Sequence, residues 1–595
     1  MIKASLFACL LTGAIVCGAA AQTNSVFVRV NQIGFSPNDV KTAVLMARQP
    51  LDTDFQVVTK NGGKVFEGKI KPLSGQRWGE FPFHAELDFS ALKTPGTYEV
   101  RVAGATSLPF EVKPAAYASM PDMLLDFMHQ QRCGYNPYVD AVCHPFDGRT
   151  AFGPKTNGTY ISCIGGWHDA GDQLQYMITS GNATAQLLLA WLLSDNVQKR
   201  SFADQYNALG QQSPNGIPDI LDEAKWGLDW MLRMHPEPDH LYHQIADDRD
   251  HAGWRLPQDE NIDYGWGSGK ERVVYFATGE PQGLQKYQSE STGVANLAGR
   301  YAAAMALAWQ IWKDDPRLSG FAETCLRAGI EVYKMGLAKE GVQQGNSYKA
   351  PYRYEEGTWA DDMEWGAAEL YRATRNKRYL ADAKRYAQLA ANDTWMPHEQ
   401  TKHYQYYPFI NIGHFRLYDL VDRRFKKILE GYYREGIEQC IARGSENPYR
   451  IGVPFIWCSN NLTAALATQC LLYERMTGDK RYRQFAALQR DWLLGRNPWG
   501  YSMITEIGTI AASDVHLFPN KLLKKSVRGG LVDGPVYQHI FKSLKGVGIT
   551  EPDPLAAFQD ERAVYHDDFQ DYSTNEPTMD GTVQAILMFA LQGNK

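Results

Sequence analysis

Between Ser25 and Val112, hydrophobic and polar positions alternate in short runs: "SVFVRVNQIGF", "KTAVLMA", "DFQVVTKNGGKVFEGKI", "FHAELDF", "GTYEVRVAG" and "LPFEV". A period of two sends successive side chains to opposite faces of a strand, and the β-branched residues in these runs suit that pleated surface. "TKNGGK" reads as a hairpin turn and "TPGTY" as a tight turn. Short strands at regular spacing, with no segment of helical period among them, predict an all-β sandwich of immunoglobulin type over residues 22–112. "KPAAY", residues 113–117, reads as the linker.

After Tyr117 the period changes to that of helices. In "NGIPDILDEAKWGLDWMLRM", Pro218 stands near the helix start, and Asp219, Asp222 and Glu223 lie where the helix dipole favours acids. Its apolar residues Ile220, Leu221, Ala224, Leu228, Met231 and Leu232 fall on one stripe. "STGVANLAGRYAAAMALAWQIW" repeats the design with Ala-rich faces that let helices approach closely. Further helical segments begin near 119, 173, 319, 362, 378, 418, 461, 480 and 577. The result is roughly a dozen paired helices, joined by long loops and without strands. No sequence repeat marks a regular solenoid, so residues 118–595 are expected to form a closed helical barrel.

The 595-residue length allows more than one domain. A net charge of -6 gives no electrostatic reason to expect nucleic acid or an anionic membrane as partner. The amino terminus, "MIKASLFACLLTGAIVCGAAAQ", combines Lys3, an apolar stretch and small residues before Gln22. This is a secretory signal over residues 1–21, cut after Ala21. Lipidation at Cys17 is disfavoured by the bulk of Val16 before it. No later apolar run is long enough to span a bilayer, so a secreted protein is expected: periplasmic, extracellular or at the cell surface. It is expected to act as a monomer.

Past the signal, the cysteines Cys133, Cys143, Cys163, Cys325, Cys440, Cys458 and Cys470 form an odd, sparse set that argues against a disulfide scaffold. Cys133, Cys143, His144 and His168 offer two thiols and two imidazoles, a donor set that suits structural zinc, although the spacing is loose. A Cys133–Cys143 disulfide is the alternative.

The densest chemistry lies in "GGWHDAGDQ", residues 165–173. Asp169 and Asp172 stand three apart among small residues, close enough to share one side of a turn. Such a pair holds and deprotonates a water, or it caps the helix that follows. Near the far end, "DDFQDYSTNEPTMDGTVQAILMF" places Glu576 beside Pro577, as a lone acid or as part of a capping box. If the two segments meet in space, an Asp base and a Glu acid across a cleft are the parts of an inverting glycosidase, whose carboxyls stand about 6.5–9.5 Å apart.

Taken together, "GGWHDAGDQLQY", "NGIPDILDEAKWGLDWML", "LLGRNPWGYSMITEIG", "GGLVDGP" and "DDFQDYSTNEP" resemble, in order and spacing, the motifs of glycoside hydrolase family 9 over residues 118–592. The amino-terminal "VRVNQIGFSPNDVKTAVL…GTYEVRVAG" is similar to the immunoglobulin-like module that precedes one branch of that family. The resemblance implies an (α/α)6 barrel with an open groove for a β-glucan chain, cleaved with inversion and with no organic cofactor. Carried across, Asp172 is the general base, Asp169 positions the water and Glu576 is the general acid. In the resembling branch a zinc site lies beside the catalytic loop, and Cys133, Cys143, His144 and His168 match it position by position. The family also binds calcium near an acidic pair before a Trp-containing helix. For this, "GTWADDMEW" offers Asp361 and Asp362, with a backbone oxygen from Gly357, in what is otherwise a solvated acidic loop.

One motif departs from the family's pattern. The sugar-binding "PHHR"-like loop after "GRNP" is replaced by "ASDVHLFPNKLLKKSVRGG", where His516 retains one contact and Arg528 supplies a cation. Trp457 in "PFIWCSNN" and Tyr565 are candidate groove aromatics, with core packing as the alternative for each. Cellulose-like chains, mixed-linkage glucan and xyloglucan remain open as substrates. So do exo action on oligosaccharides, as a β-glucosidase or glucosaminidase, and a non-catalytic glycan-binding role for the same fold.

Overall fold

The computed structural model describes residues 25–592 apart from 74–75, 268–269, 284–286 and 351. The predicted signal segment 1–21, with Cys17, lies outside the described residues. The alternating runs form the sandwich. One antiparallel sheet contains β1 (Val26–Arg29), β2 (Thr42–Ala47), β5 (Lys71–Pro72) and β6 (Phe83–Asp88), in the order β1-β2-β6-β5. The other orders β4 (Lys64–Lys69), β3 (Asp54–Thr59), β7 (Gly96–Val102) and β8 (Ala105–Thr106), with β9 (Phe110–Val112) on the open side of β7.

Strand β2, "TAVLMA", is buried at every position because both of its faces are covered. Ala43 and Leu45 enter the sandwich core, whereas Val44 joins the core of the second domain. On that same outer face, Met46 Sδ lies 3.3 Å from the Tyr449 hydroxyl. A continuous apolar run here marks a strand covered on both sides.

Twelve helices then alternate between an outer and an inner ring. The outer ring holds α1 (Met120–Gln131), α3 (Asp219–Arg233), α5 (Ser319–Ala338), α7 (Lys377–Leu389), α9 (Arg423–Ser445) and α11 (Arg483–Leu493). The inner ring holds α2 (Met177–Leu193), α4 (Ala295–Trp312), α6 (Ala360–Thr374), α8 (Ile412–Tyr418), α10 (Ser459–Thr477) and α12 (Met579–Ala590). Each inner helix packs on the next, and α12 closes the ring onto α2, which makes an (α/α)6 barrel. Small residues set the spacing. A Cβ on Gly299 of α4 would fall 2.2 Å from the backbone carbon of Asp362, and one on Gly366 of α6 would fall 2.6 Å from the Gly299 oxygen.

The expectation of strand-free loops is corrected. A hairpin of β10 (Gly134–Asn136) and β11 (Ala141–Cys143) follows α1, and a sheet of β12 (Arg149–Ala151), β13 (Gln175–Tyr176), β14 (Tyr242–Ile245) and β15 (Val273–Phe276) lies over one end of the barrel. These strands are too short for an alternating pattern to register.

The sandwich grips the barrel at a defined place. Gln32 Nε2 donates to the carbonyls of Gly500 and Ile510 at 2.9 and 3.1 Å, while its Oε1 accepts from Ile510 N at 2.8 Å. Asn31 Nδ2 donates to Asp491 Oδ1 at 2.7 Å. Tyr117, at the end of the expected linker, is buried with its hydroxyl on the Gly34 carbonyl at 2.6 Å. The linker is a packed joint.

Candidate active site

The loop carrying the paired aspartates is anchored by its tryptophan. Trp167 is fully buried and donates through Nε1 to Glu223 Oε1 at 2.6 Å. Glu223 is held in turn by Arg132 at 2.7 Å and His129 at 3.0 Å. Burial opposes its charge, but Arg132 and His129 together outweigh burial and keep the carboxyl well below the usual range. A Cβ on Gly227 of α3 would stand 2.3 Å from the Trp167 ring. The "DILDEAKWG" segment therefore exists in part to seat this loop.

Neither aspartate caps a helix. α2 begins eight residues after Asp169, and its N-cap is Tyr176 with no side-chain cap bond. Glu576 does not belong to a capping box either, since α12 starts at Met579 after Thr578. Asp169 is 1% exposed and accepts hydrogen bonds from Thr179 Oγ1 and Tyr354 Oη. Asp172 and Glu576 remain partly exposed. Asp172 Oδ1 accepts from Leu174 N at 2.9 Å, and its Oδ2 lies 3.4 Å from His251 Nε2. Glu576 Oε1 accepts from Gly171 N at 2.8 Å, which joins the two distant segments through the residue between the aspartates. Desolvation, with the charges of Asp533 and Asp172, raises the Glu576 carboxyl well above its usual range. A Glu576 whose ionisation is disfavoured, beside a partly exposed Asp172, suits the division of roles that acid–base cleavage requires.

His516 joins this group. Its Nδ1 lies 2.6 Å from the Phe569 carbonyl, and a Cβ on Gly171 would fall 2.2 Å from the His516 oxygen. Trp457 also lines the site, its ring packing against His403, Tyr572 and Tyr352 at centroid distances of 5.1, 5.8 and 6.3 Å. Two sequence candidates are corrected. Arg528 pairs with Asp126 of α1 at 2.6 Å, on the exposed side of the barrel, and makes no contact with the carboxylates. Tyr565 is fully buried between Trp499 and Tyr501. Its hydroxyl donates to Asn575 Oδ1 at 3.2 Å, so it supports the neighbour of Glu576 and offers no face to a sugar.

Several site residues escaped the sequence reading. In "DDRDHAGWR", Asp250 Oδ2 accepts from Gln173 N at 2.8 Å, His251 meets Asp172, and Trp254 projects 51% exposed, stacked on Phe518. Burial lowers the proton affinity of His251, but Asp172, Asp250 and Asp248 together raise it more. The signal available was an acid–His–Trp set in a glycine-containing loop. Asp580 accepts from Tyr404 Oη at 2.9 Å, and Asp533 accepts from Trp457 Nε1 at 2.7 Å. Asp533 sat inside the quoted "GGLVDGP" without a role.

Beside the catalytic loop, the ligand atoms of Cys133, Cys143, His144 and His168 all lie within 4.8 Å of one another, and all four residues are buried. His144 Nδ1 faces Cys133 Sγ at 3.5 Å and His168 Nε2 at 3.4 Å. The cysteines are free thiols, which replaces the alternative of a disulfide. Burial works against a charged thiol, yet contacts with Cys143 and His144 hold Cys133 well below the ordinary thiol range. Two sulfur and two nitrogen donors converging without an intervening side chain fit a tetrahedral zinc ion. The calcium set does not fit. Asp362 is bound by Arg300 through Nε and Nη2 at 2.6 and 2.7 Å, and Arg300 also bonds Glu356, so this carboxylate already has its cation. Asp361 is buried, with one oxygen unpaired.

Residues 117–591 match the family model for Glycosyl hydrolase family 9, and residues 23–107 match that for the cellulase N-terminal ig-like domain. The chain belongs to glycoside hydrolase family 9. It is 26% identical to Endoglucanase C of Cellulomonas fimi over 93% of its own length, and it spans 50% of that longer protein. It is 26% identical to a xyloglucan-specific endo-beta-1,4-glucanase of Bacteroides ovatus, with 85% of each chain covered. Among solved structures, a metagenome-derived family 9 endoglucanase superposes with a TM-score of 0.77 at 25% identity, covering 96% of this chain and 99% of that one.

Proposed function

We propose that this protein is an exported, inverting endo-β-1,4-glucanase acting on β-glucans such as xyloglucan or mixed-linkage glucan, with residues 118–595 as its catalytic domain and 1–21 as a cleaved signal. The observation that carries this reading is the hydrogen bond from Gly171 N to Glu576 Oε1, which sets a protonated acid against the Asp169/Asp172 loop. Glu576 donates its proton to the glycosidic oxygen as the bond breaks. Asp172 takes a proton from a water on the opposite face of the sugar, and Asp169, buried on Thr179 and Tyr354, holds the loop in register. Trp457, Tyr352 and Tyr572 offer aromatic surface to the chain, and His516 lines the same cleft. No helix among the described residues is long and apolar enough to cross a membrane, in keeping with an exported enzyme.

Cys133, Cys143, His144 and His168 would hold a zinc ion in a structural role. Bound there, it would tie the residue directly before Asp169 to the hairpin after α1. Arg272 reinforces that link, with Nη2 on Asp147 and Gln175, each at 2.7 Å, and Nη1 on the Gln173 carbonyl.

The test is hydrolysis of xyloglucan and mixed-linkage β-glucan by the mature protein, with Glu576→Gln in parallel. A ladder of oligosaccharides from the wild type, reduced by about 10²–10⁴-fold in the variant, is the expected result. Release of a single short product would replace endo with exo action, and intact polysaccharide from both proteins would remove the reading.

A further inference from the structure

Asp533 is a carboxylate of the cleft without a role so far. It is 1% exposed and lies on the ribbon that carries the acid: Val532 bridges Pro577, and Asp533 N donates to the Glu576 carbonyl at 2.8 Å. Its side chain is fully committed. Oδ2 accepts from Trp457 Nε1 at 2.7 Å, and Oδ1 accepts from Cys458 Sγ at 3.2 Å. Among the described residues no cation is bonded to it. A buried carboxylate with two donors and no counter-ion is costly unless it has a purpose. Trp457 is the aromatic whose ring turns toward Tyr352, His403 and Tyr572.

Building on the glucanase reading, we propose that Asp533 is a positioning residue for the reaction: it orients the Trp457 indole as a sugar-contacting wall and is the charged neighbour against which Glu576 works as an acid. The two functions share one carboxyl. Its bonds from Trp457 and Cys458 favour the charged form and oppose the burial that raises it to about 8. The two carboxyls neighbour each other on one ribbon, so a charge on Asp533 resists ionisation of Glu576. The groups facing the pair are Asp172, Asp169 and the Gly171 N–H on the catalytic loop, Asp580 on α12, Asp571 and Tyr572 on the segment before Glu576, and Cys458 before α10. The basic groups of the cleft are His251, paired with Asp172, and His516 on the Phe569 carbonyl, and neither is bonded to Asp533.

Asp533→Asn separates the two functions. The amide oxygen still accepts from Trp457, while the charge is gone. KM on β-glucan is expected to stay within about twofold, and the alkaline limb of kcat/KM to move down by about one pH unit. Asp533→Ala also releases Trp457, and its KM is expected to rise about tenfold. An unchanged alkaline limb in Asp533→Asn, whatever happens to kcat, would overturn the proposal. Titration of the Glu576 carboxyl by infrared difference against Glu576→Gln reads the same shift without turnover. It therefore decides the matter even if no β-glucan is hydrolysed, an outcome that would count against the glucanase reading alone.

Discussion

Gly171 N and Glu576 Oε1 lie 2.8 Å apart, although 405 residues separate them in the chain. The bond is possible because residue 171 has no side chain: a Cβ there would meet the His516 oxygen at 2.2 Å and Glu576 Oε1 at 2.7 Å. The backbone φ at this position is not in the left-handed region, so the requirement for glycine is one of space. Gly171→Ala is expected to push Glu576 and the 516 segment away from the loop. Activity should fall by about 10²-fold or more, while Tm moves by only a few degrees, of the order expected for about 1–3 kcal/mol of overpacking. Measuring kcat together with a thermal melt checks this. A variant with wild-type kcat would show that the contact is dispensable.

Glu576 also makes a prediction about pH and stability. Its carboxyl is raised well above its ordinary value of 4.5, first by desolvation and then by Asp533 and Asp172. The folded state therefore binds more protons than the unfolded chain, and the contribution of this residue to stability declines as pH rises above about 4.5 toward the folded value. Replacing it by neutral Gln removes that decline. Glu576→Gln should be as stable as the wild type at acid pH and progressively more stable above it, which paired melts across pH 4–9 would read. A constant difference at all pH values would contradict the assignment.

The cluster of Cys133, Cys143, His144 and His168 leads to a metal prediction. The purified protein should contain about one zinc per chain, and Cys133→Ser or Cys143→Ser should lower that content several-fold. Because His168 directly precedes Asp169, loss of the metal should reduce both Tm and activity. Elemental analysis with calorimetry tests it, and zinc-free protein with full stability would refute it.

At the site expected for calcium, Arg300 supplies the positive charge. Calcium addition or chelation with a calcium-selective reagent should leave Tm unchanged. Arg300→Met should cost about 3–5 kcal/mol by stranding Asp362 and Glu356 in the interior, read by denaturant unfolding. A rise in Tm with calcium in the wild type would reverse the conclusion.

The periodicities of the chain carried the architecture well, because both are local: alternation through residues 25–112, and the 3.6-residue stripe of segments such as 219–233. The carboxylate pair stood out because small residues around Asp169 and Asp172 leave no packing reason for two acids. Zinc donors could be matched, but not their convergence, since it depends on the hairpin of Gly134–Asn136 with Ala141–Cys143, too short to show a pattern. Arg528 and Tyr565 failed for a common reason. A charge near a broken motif and an aromatic near an acid look alike in sequence whether they face the groove or turn away, and tertiary packing decided both. Asp362 failed similarly, because its partner Arg300 lies 62 residues away on α4. Asp533, Asp580 and His251 sit in loops whose approach to the cleft is set by the closure of the helical ring.

The account rests on Asp172 and Glu576 working across one cleft by direct displacement. The most direct measurement is proton NMR of the first product released from xyloglucan or mixed-linkage oligosaccharides, with Glu576→Gln as control. The account predicts that the new reducing end appears first as the α-anomer and only then mutarotates, with no signal from the variant. A β-anomer formed first, or equal signal from the variant, would contradict it.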